Sequence, residues 1–391
     1  MSHPPPSLHH LQDAPSPSDE RSSQERRAFL CQRAAVPLAA AAAAPSERQL
    51  AHQLKGSPAL AKLSQMSGLV NRYGMAQLQR NLRDFGIEDR GSEESCRARL
   101  KHHVRSQAIA RLSGHQQENS VPFRYYYDVI CVVDFEATCD PRACESRSPQ
   151  EIIEFPAVLV DLHSGSVVAR FHYFVKPIQS GISEYCTSLT GITKEDLEAR
   201  ALPFGQVLDL FETWLYSLLK ASSYTSFALA SDGSWDFGHF FAVSCQVNGI
   251  PFPAYAKRWI NVRKVFSSHY RQAPCRLSHM LSFLDMRFEG RQHSGLDDAC
   301  NIAALLQRML LDGANPVINE RISWHSSLRH SWQGVRPGVL RVFYAKPSDG
   351  LNLSDSDDEL AEAILRDSGT TTTAAAAAAT TAAGEEERGT T

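Results

Sequence analysis

The sequence predicts an α/β fold: a mixed sheet flanked by helices, preceded by a small helical unit and bordered by disordered termini. Three observations predict it. Tyr127-Asp-Val-Ile-Cys-Val-Val-Asp134 is a continuous apolar run of strand length, rich in β-branched residues and bounded by polar ones, which marks a buried strand. Two further apolar runs, Phe155 to Leu162 and Val167 to Val175, flank the turn signal His163-Ser-Gly-Ser166 and predict a hairpin. Beyond Pro203 helical and strand patterns alternate, as they do when helices cover a sheet.

Taken in order, residues 1–67 are rich in Pro, Ser, Ala and charge, lack apolar periodicity, and predict a disordered segment. A capping pair, Ser46 and Gln49, is interrupted by Gly56 and Pro58, so Ser46 to Met66 is at most a weak helix. Residues 68–112 form the helical unit. Met75, Leu78, Leu82 and Phe85 make one stripe that stops at Gly86, and Cys96, Leu100 and Val104 make a second after the Arg90-Gly91-Ser92 turn. A linker, 113–124, leads to the sheet domain at 125–314. There Pro203 to Leu219 is a helix with Val207, Leu208, Phe211, Leu215 and Leu218 on one face. Tyr224 to Ala230 is a strand, Asp236 opens a helix, and Asp298 to Leu311 is the last one. The tail, 315–391, carries an acidic run and Thr/Ala repeats and predicts a solvated segment.

Composition bounds the function. Of 391 residues, 40 are Lys or Arg and 43 Asp or Glu, a net charge of −3, so no global basic field exists and any nucleic-acid affinity is local. The longest apolar run, Ala34 to Ala44, is broken by Pro37 and is far short of the ~20 residues a membrane span needs. Nine cysteines without a CxxC pair argue against a disulfide framework or a cysteine zinc site and suit a reducing compartment. The second helix of the small unit is basic, with no acid between Arg97 and Arg111. An ordinary solvated face and a phosphate-contacting helix explain this equally.

The chemistry concentrates in acids that begin or end core elements. Asp134 and Glu136 sit two residues apart at the end of the first strand, so both carboxylates leave the sheet on one side and Phe135 on the other. Such a pair repels and loses hydration unless a cation sits between its members. Asp236 shares a helical face with Phe240, Val243 and Val247; Asp298 shares one with Ile302, Leu305 and Met309. Asp232 reads as a turn acid and Asp297 as a helix cap. Hard oxygen ligands of this kind suit Mg²⁺ or Mn²⁺. His293, five residues before Asp298, is a candidate general base beside them.

VVDFEAT, Trp235-Asp236 and the His293…Asp298 spacing together resemble the DEDDh 3′–5′ exonucleases. DFEATC, EIIEFPAVLV, SLTGIT, DGSWDF and HSGLDDACNIA look more closely like their Eri-1 type, the enhanced-RNAi or histone-mRNA 3′-exonucleases. The helical unit resembles a SAP domain through Leu78, Leu82, Phe85, Ile87, Leu100 and the Gly86-Ile87…Arg90-Gly91 turn. It departs from that pattern at Glu93, Glu94 and Cys96. The resemblance implies an RNase H-like fold and an Mg²⁺-dependent exoribonuclease that releases nucleoside 5′-monophosphates by two-metal hydrolysis. Asp134, Glu136, Asp236 and Asp298 would be ligands of two ions, with Mn²⁺ able to substitute, and Glu136 and His293 catalytic. Glu136, Ala137, Leu189, Thr190, Trp235 and His293 would contact substrate, and Arg99, Lys101, His103 and Arg105 would bind RNA from the SAP unit. It implies RNA stem-loops and 3′ ends (histone mRNA, ribosomal RNA, small interfering and micro-RNA) as substrates. Stem-loop binding protein and ribosomal particles are the implied partners. A monomer of cytoplasm, nucleus and nucleolus is expected, with no membrane partner. A DNA 3′–5′ exonuclease and a catalytically silent RNA-binding adaptor remain alternative readings.

Overall fold

The computed structural model describes residues 17–34, 58–112, 125–140, 149–323 and 341–344. The linker at 113–124 and most of the acidic tail lie outside the described residues. Among the described residues no helix is long and apolar enough to cross a membrane.

The chain opens with α1 (Pro17–Arg33), inside the segment expected to be disordered. Its side chains explain both facts. The helix has little apolar periodicity and is held by a single fully buried leucine, Leu30, and by ion pairs. Among the described residues three helices come next: α2 (Pro58–Val70), α3 (Met75–Asp84) and α4 (Glu93–Leu112). Val70, Leu78, Leu82, Cys96, Leu100 and Val104 form their common core. The expected boundary at 67/68 therefore cuts through α2. Pro58 does not break that helix; it occupies the first helical position, where a missing N–H costs nothing.

The sheet begins with β1 (Val129–Val133), whose five residues are all buried. Val129, Cys131 and Val133 enter one core layer while Ile130 and Val132 enter the other, so the unbroken apolar run is a strand covered on both faces. β2 (Glu136–Ala137), β3 (Ile152–Asp161) and β4 (Ser166–Lys176) follow, with β3 antiparallel to β1, β2 and β4. Next come α5 (Glu184–Thr190), α6 (Lys194–Arg200), β5 (Leu202–Pro203) and α7 (Phe204–Ala221). β6 (Phe227–Ser231) pairs in parallel with β1. It starts three residues later than the predicted strand, after the turn at Ser223.

A π-helical turn, Asp236–Phe241, runs directly into α8 (Ala242–Val247). The wider turn changes the predicted inner face. Phe237, Phe241 and Cys245 are buried in the core, whereas Phe240 only packs against it. β7 (Arg258–Asn261), α9 (Val262–Tyr270), α10 (Leu277–Phe283) and α11 (Gly295–Leu311) complete the helical layers. β8 (Glu320–Ser323) then pairs antiparallel with β7, so the sheet extends past the expected end at 314. Its residues Glu320 and Arg321, and Asn319 just before them, are polar yet buried, which hid the strand from apolar patterning. A last short strand spans Arg341–Tyr344.

The central order β4-β3-β1-β6-β7, antiparallel on one side of β1 and parallel on the other, is the RNase H-like arrangement. One face is covered by α7, α8 and α1, the other by α9, α10 and α11. β1 thus ends in the middle of the sheet, with its last residues beside the start of α11.

Arg99 on α4 corrects an expectation. Its side chain is 1% exposed and pairs with Asp312, itself fully buried, at the end of α11. Two guanidinium nitrogens donate to one Asp312 oxygen at 2.9 and 3.0 Å, and Tyr270 donates to the other at 2.7 Å. The remaining Arg99 nitrogen donates to the carbonyls of Glu88 and Arg90. Arg99 is consumed inside the protein and presents nothing to RNA. Lys101, His103 and Arg105 stay half-buried, and Lys101 lies one turn from both Arg97 and Arg105.

Candidate metal centre and active site

Three carboxylates converge where β1 ends. One oxygen each from Asp134, Glu136 and Asp298 lies within 4.8 Å of the others. The strand pattern explains the first two. Asp134 and Glu136 straddle Phe135, whose ring goes into the core against Phe155 at 4.7 Å and Phe241 at 5.8 Å. Asp298 comes from the first turn of α11, where its N–H donates to Ser294 at 2.8 Å. One of its oxygens is buried without a hydrogen-bond partner. Asp236 is buried behind them and accepts from the Phe135 N–H at 2.9 Å, so the fourth acid grips the backbone between the first two.

Burial and crowding leave these groups reluctant to ionise. Burial above all, then Asp236, Asp298 and Glu136, holds the Asp134 carboxyl well above the usual range. Glu136 is pushed up to about 8 by burial, then by Glu154 and Asp298. Burial raises Asp236 to about 7 despite the Phe135 N–H, and Asp298 to about 6 despite the His293 N–H. A hard divalent cation satisfies this set: it supplies the missing countercharge and a partner for the orphaned Asp298 oxygen.

His293 lies in the exposed loop before α11, in the left-handed region at φ 63°. Its backbone N–H serves Asp298, and the residue is exposed. Trp235 precedes Asp236 and is 60% exposed, its ring 4.8 Å from His239 and 5.9 Å from Phe240. Leu189 is half-buried at the end of α5. Thr190 is not available as a surface: it is buried, donates to the Cys186 carbonyl at 2.9 Å and accepts from the Ile192 N–H. Ala137 is buried, and its carbonyl receives the Cys186 thiol at 3.6 Å.

Of two supporting acids, one keeps its predicted place and the other does not. Asp232 does sit in a turn, but it also pairs with Arg263 from α9. Asp297 accepts from the Arg291 N–H at 2.9 Å, thereby bracing the loop before α11 rather than its first turn. Sequence reasoning missed Arg291, whose guanidinium donates to the carbonyls of Ser188 and Leu189 and holds the end of α5. It also missed Glu154, Glu151 and Glu320. Glu151 is buried and accepts three consecutive N–H groups, Ile178, Gln179 and Ser180. Glu320 accepts from Ser234 and Asn261 and pairs with Lys264, which ties β8 to the loop that carries Trp235. The available signal was an acid inside an otherwise apolar strand, as in EIIEFPAVLV.

The family model described as Exonuclease matches residues 131–306. The chain is 37% identical over 268 residues to 3'-5' exoribonuclease 1 of Rattus norvegicus, covering 68% of this chain and 75% of that protein. It is 39% identical over 201 residues to 3'-5' exonuclease Snipper of Drosophila melanogaster, covering 48% and 71%. A solved structure described as 3'-end specific recognition of histone mRNA stem-loop by 3'-exonuclease is 32% identical. It covers 75% of this chain and 94% of its own, with a TM-score of 0.49.

Proposed function

The chain belongs to the 3′–5′ exoribonuclease 1 family, and from that premise we propose that it trims structured RNA 3′ ends with Mg²⁺ as its ion. It is a 3′–5′ exoribonuclease, a hydrolase of phosphodiester bonds. The observation that carries the reading is the convergence of Asp134, Glu136 and Asp298, with Asp236 gripping the backbone between the first two.

Asp134, Glu136, Asp236 and Asp298 would hold the divalent ions, which lower the pKa of a water and neutralise charge on the phosphate when bound. The chain's own groups do the rest. His293 takes the proton from the attacking water at a ring nitrogen. The water oxygen bonds to phosphorus as the bond to the preceding 3′-oxygen breaks, which releases a nucleoside 5′-monophosphate and a new 3′-hydroxyl. Trp235 offers a face for a terminal base, a contact worth about 1–3 kcal/mol. Leu189, held by Arg291 through its carbonyl, wedges beside it.

The relative's stem-loop makes a histone-type RNA hairpin the first substrate to test, followed by ribosomal RNA 3′ ends and small interfering RNA. Stem-loop binding protein is the corresponding partner. Lys101, His103 and Arg105 on α4 are the residues proposed to grip the stem. The test is to incubate purified full-length protein with Mg²⁺ and 5′-labelled RNA hairpins carrying a 3′ overhang, beside DNA of the same sequence. The expected result is a ladder shortening from the 3′ end on RNA, lost in Asp134→Asn. Equal shortening of the DNA would overturn the ribose preference, and no shortening of either would overturn the site.

A further inference from the structure

Outside the acids already placed, the most constrained charged group beside the site is Glu154. It is the third residue of β3, 3% exposed, in a strand otherwise apolar up to its last residue, Asp161. One carboxylate oxygen accepts the Gly295 N–H at 2.9 Å. The other accepts the Leu296 N–H at 3.2 Å and contacts the His172 ring nitrogen at 2.8 Å. Gly295 and Leu296 are the first two residues of α11, and their N–H groups have no partner within the helix. Ser294 is in the capping position, but its side chain makes no capping bond. Glu154 supplies the cap from a different element, 141 residues away in sequence.

Two further facts fix what the cap controls. A Cβ on Gly295 would lie 2.6 Å from the Asp134 carbonyl oxygen and 3.2 Å from the Glu154 carboxylate, so α11 starts in close contact with both. Asp298 follows one turn later. In the β2–β3 ladder, Glu136 is the residue opposite Glu154. One side chain on β3 thus touches the helix that carries Asp298 while its own backbone faces the strand that carries Glu136.

We propose that Glu154 is a positioning residue for the divalent-cation site: its carboxylate caps α11 and thereby sets Asp298 against Asp134 and Glu136. The inference rests on the metal reading of the site given above. A charge is well placed for the task, because the helix N-terminus favours a carboxylate. The geometry nevertheless assigns the role to its two acceptor oxygens.

The experiment measures Mn²⁺ binding to the full-length chain by loss of the free-ion EPR signal, without RNA and without turnover. The wild type, Asp298→Asn, Glu154→Ala, Glu154→Gln and Gly295→Ala are compared, with far-UV circular dichroism as the folding control. Groups that orient metal ligands typically cost 10–100-fold in affinity when lost, so Glu154→Ala should weaken Mn²⁺ by about that factor. Glu154→Gln keeps one of the two acceptors and should recover part of the loss. Gly295→Ala retains every carboxylate but forces the helix start off its seat, and should weaken Mn²⁺ in the same direction. In turnover assays, raising Mg²⁺ should restore kcat in Glu154→Ala, while KM for RNA stays at the wild-type value. Wild-type affinity in both Glu154→Ala and Gly295→Ala would overturn the proposal, as would a loss in Glu154→Gln equal to that in Glu154→Ala. If Glu154→Ala does not fold, Glu154→Gln and Gly295→Ala still decide. Failure of the wild type to bind Mn²⁺ would instead overturn the metal reading itself.

Discussion

Replacing Arg99 with Met should cost the protein its stability and leave its RNA electrostatics untouched. The Arg99–Asp312 pair is almost wholly desolvated, at 1% and 0% side-chain exposure. Removing one member strands the other, and a stranded buried charge costs about 3–5 kcal/mol. Asp312 would keep only the hydroxyls of Ser95 and Tyr270, the Glu88 carbonyl would lose the Arg99 donor, and the Arg90 carbonyl would keep Arg308. For a cooperative unit of this size each kcal/mol shifts Tm by about 2–4 °C, so the expected fall is about 6–20 °C. Adding Asp312→Asn removes the stranded charge but keeps acceptors for the two hydroxyls. The double variant should therefore be more stable than the sum of the singles predicts, by roughly 1–3 kcal/mol. Calorimetry or urea unfolding reads both quantities, and stem-loop affinity against salt concentration reads the other half. A Tm within about 2 °C of wild type, together with a flatter salt dependence, would return Arg99 to the RNA surface and refute the reasoning.

Four further outcomes are expected. Glu136, Asp236 and Asp298 titrate near 8, 7 and 6 in the folded protein, above their unfolded range, so the folded state holds these protons more tightly. With EDTA present, Tm should therefore fall as pH rises from about 5.5 to 8.5, and saturating Mg²⁺ should remove that trend. Lys101→Ala with Arg105→Ala should lower the slope of log K against log salt for a stem-loop by about 1–2, and barely alter degradation of a short unstructured RNA. His293→Ala should slow hydrolysis by about 10²–10⁴-fold while Mn²⁺ binding survives; loss of binding would make His293 a ligand. Arg27→Ala leaves the fully buried Glu212 with only the Tyr255 hydroxyl. Because Arg27 is a third exposed, the cost should be about 1–3 kcal/mol, and Glu212→Gln should recover part of it in urea unfolding.

How far the sequence reveals the protein depends on whether an element's burial is apolar. β1 was legible because both of its faces are lined with Val, Ile and Cys, and the D-x-E spacing followed directly from the pleat. Asp298 was legible from a regular helical stripe. Asp236 was placed correctly as the start of a helix, but the π-turn moved the buried ring from position 240 to 241, which no period of 3.6 anticipates. What stayed hidden is bound by polar partners distant in the chain. Arg99 lies in a basic run and meets its acid 213 residues later, so its local pattern is that of a surface helix. β8 is buried through Glu320 and Arg321. Thr190 sits in the right motif, yet its hydroxyl is already taken by the turn of α5.

The first helix has a consequence for biosynthesis. Arg27 meets Glu212 across 185 residues of chain, and Arg33 reaches the Tyr224 carbonyl across 191. At about 5–20 residues per second, α1 leaves the ribosome roughly 10–40 s before α7 exists to receive it. Through that interval it has little apolar surface to aggregate with and no partner for its arginines. Closing so long a loop is slow, so this contact should form among the last and open among the first. Proteolysis of the native protein should accordingly release the α1 segment well before it cuts the sheet.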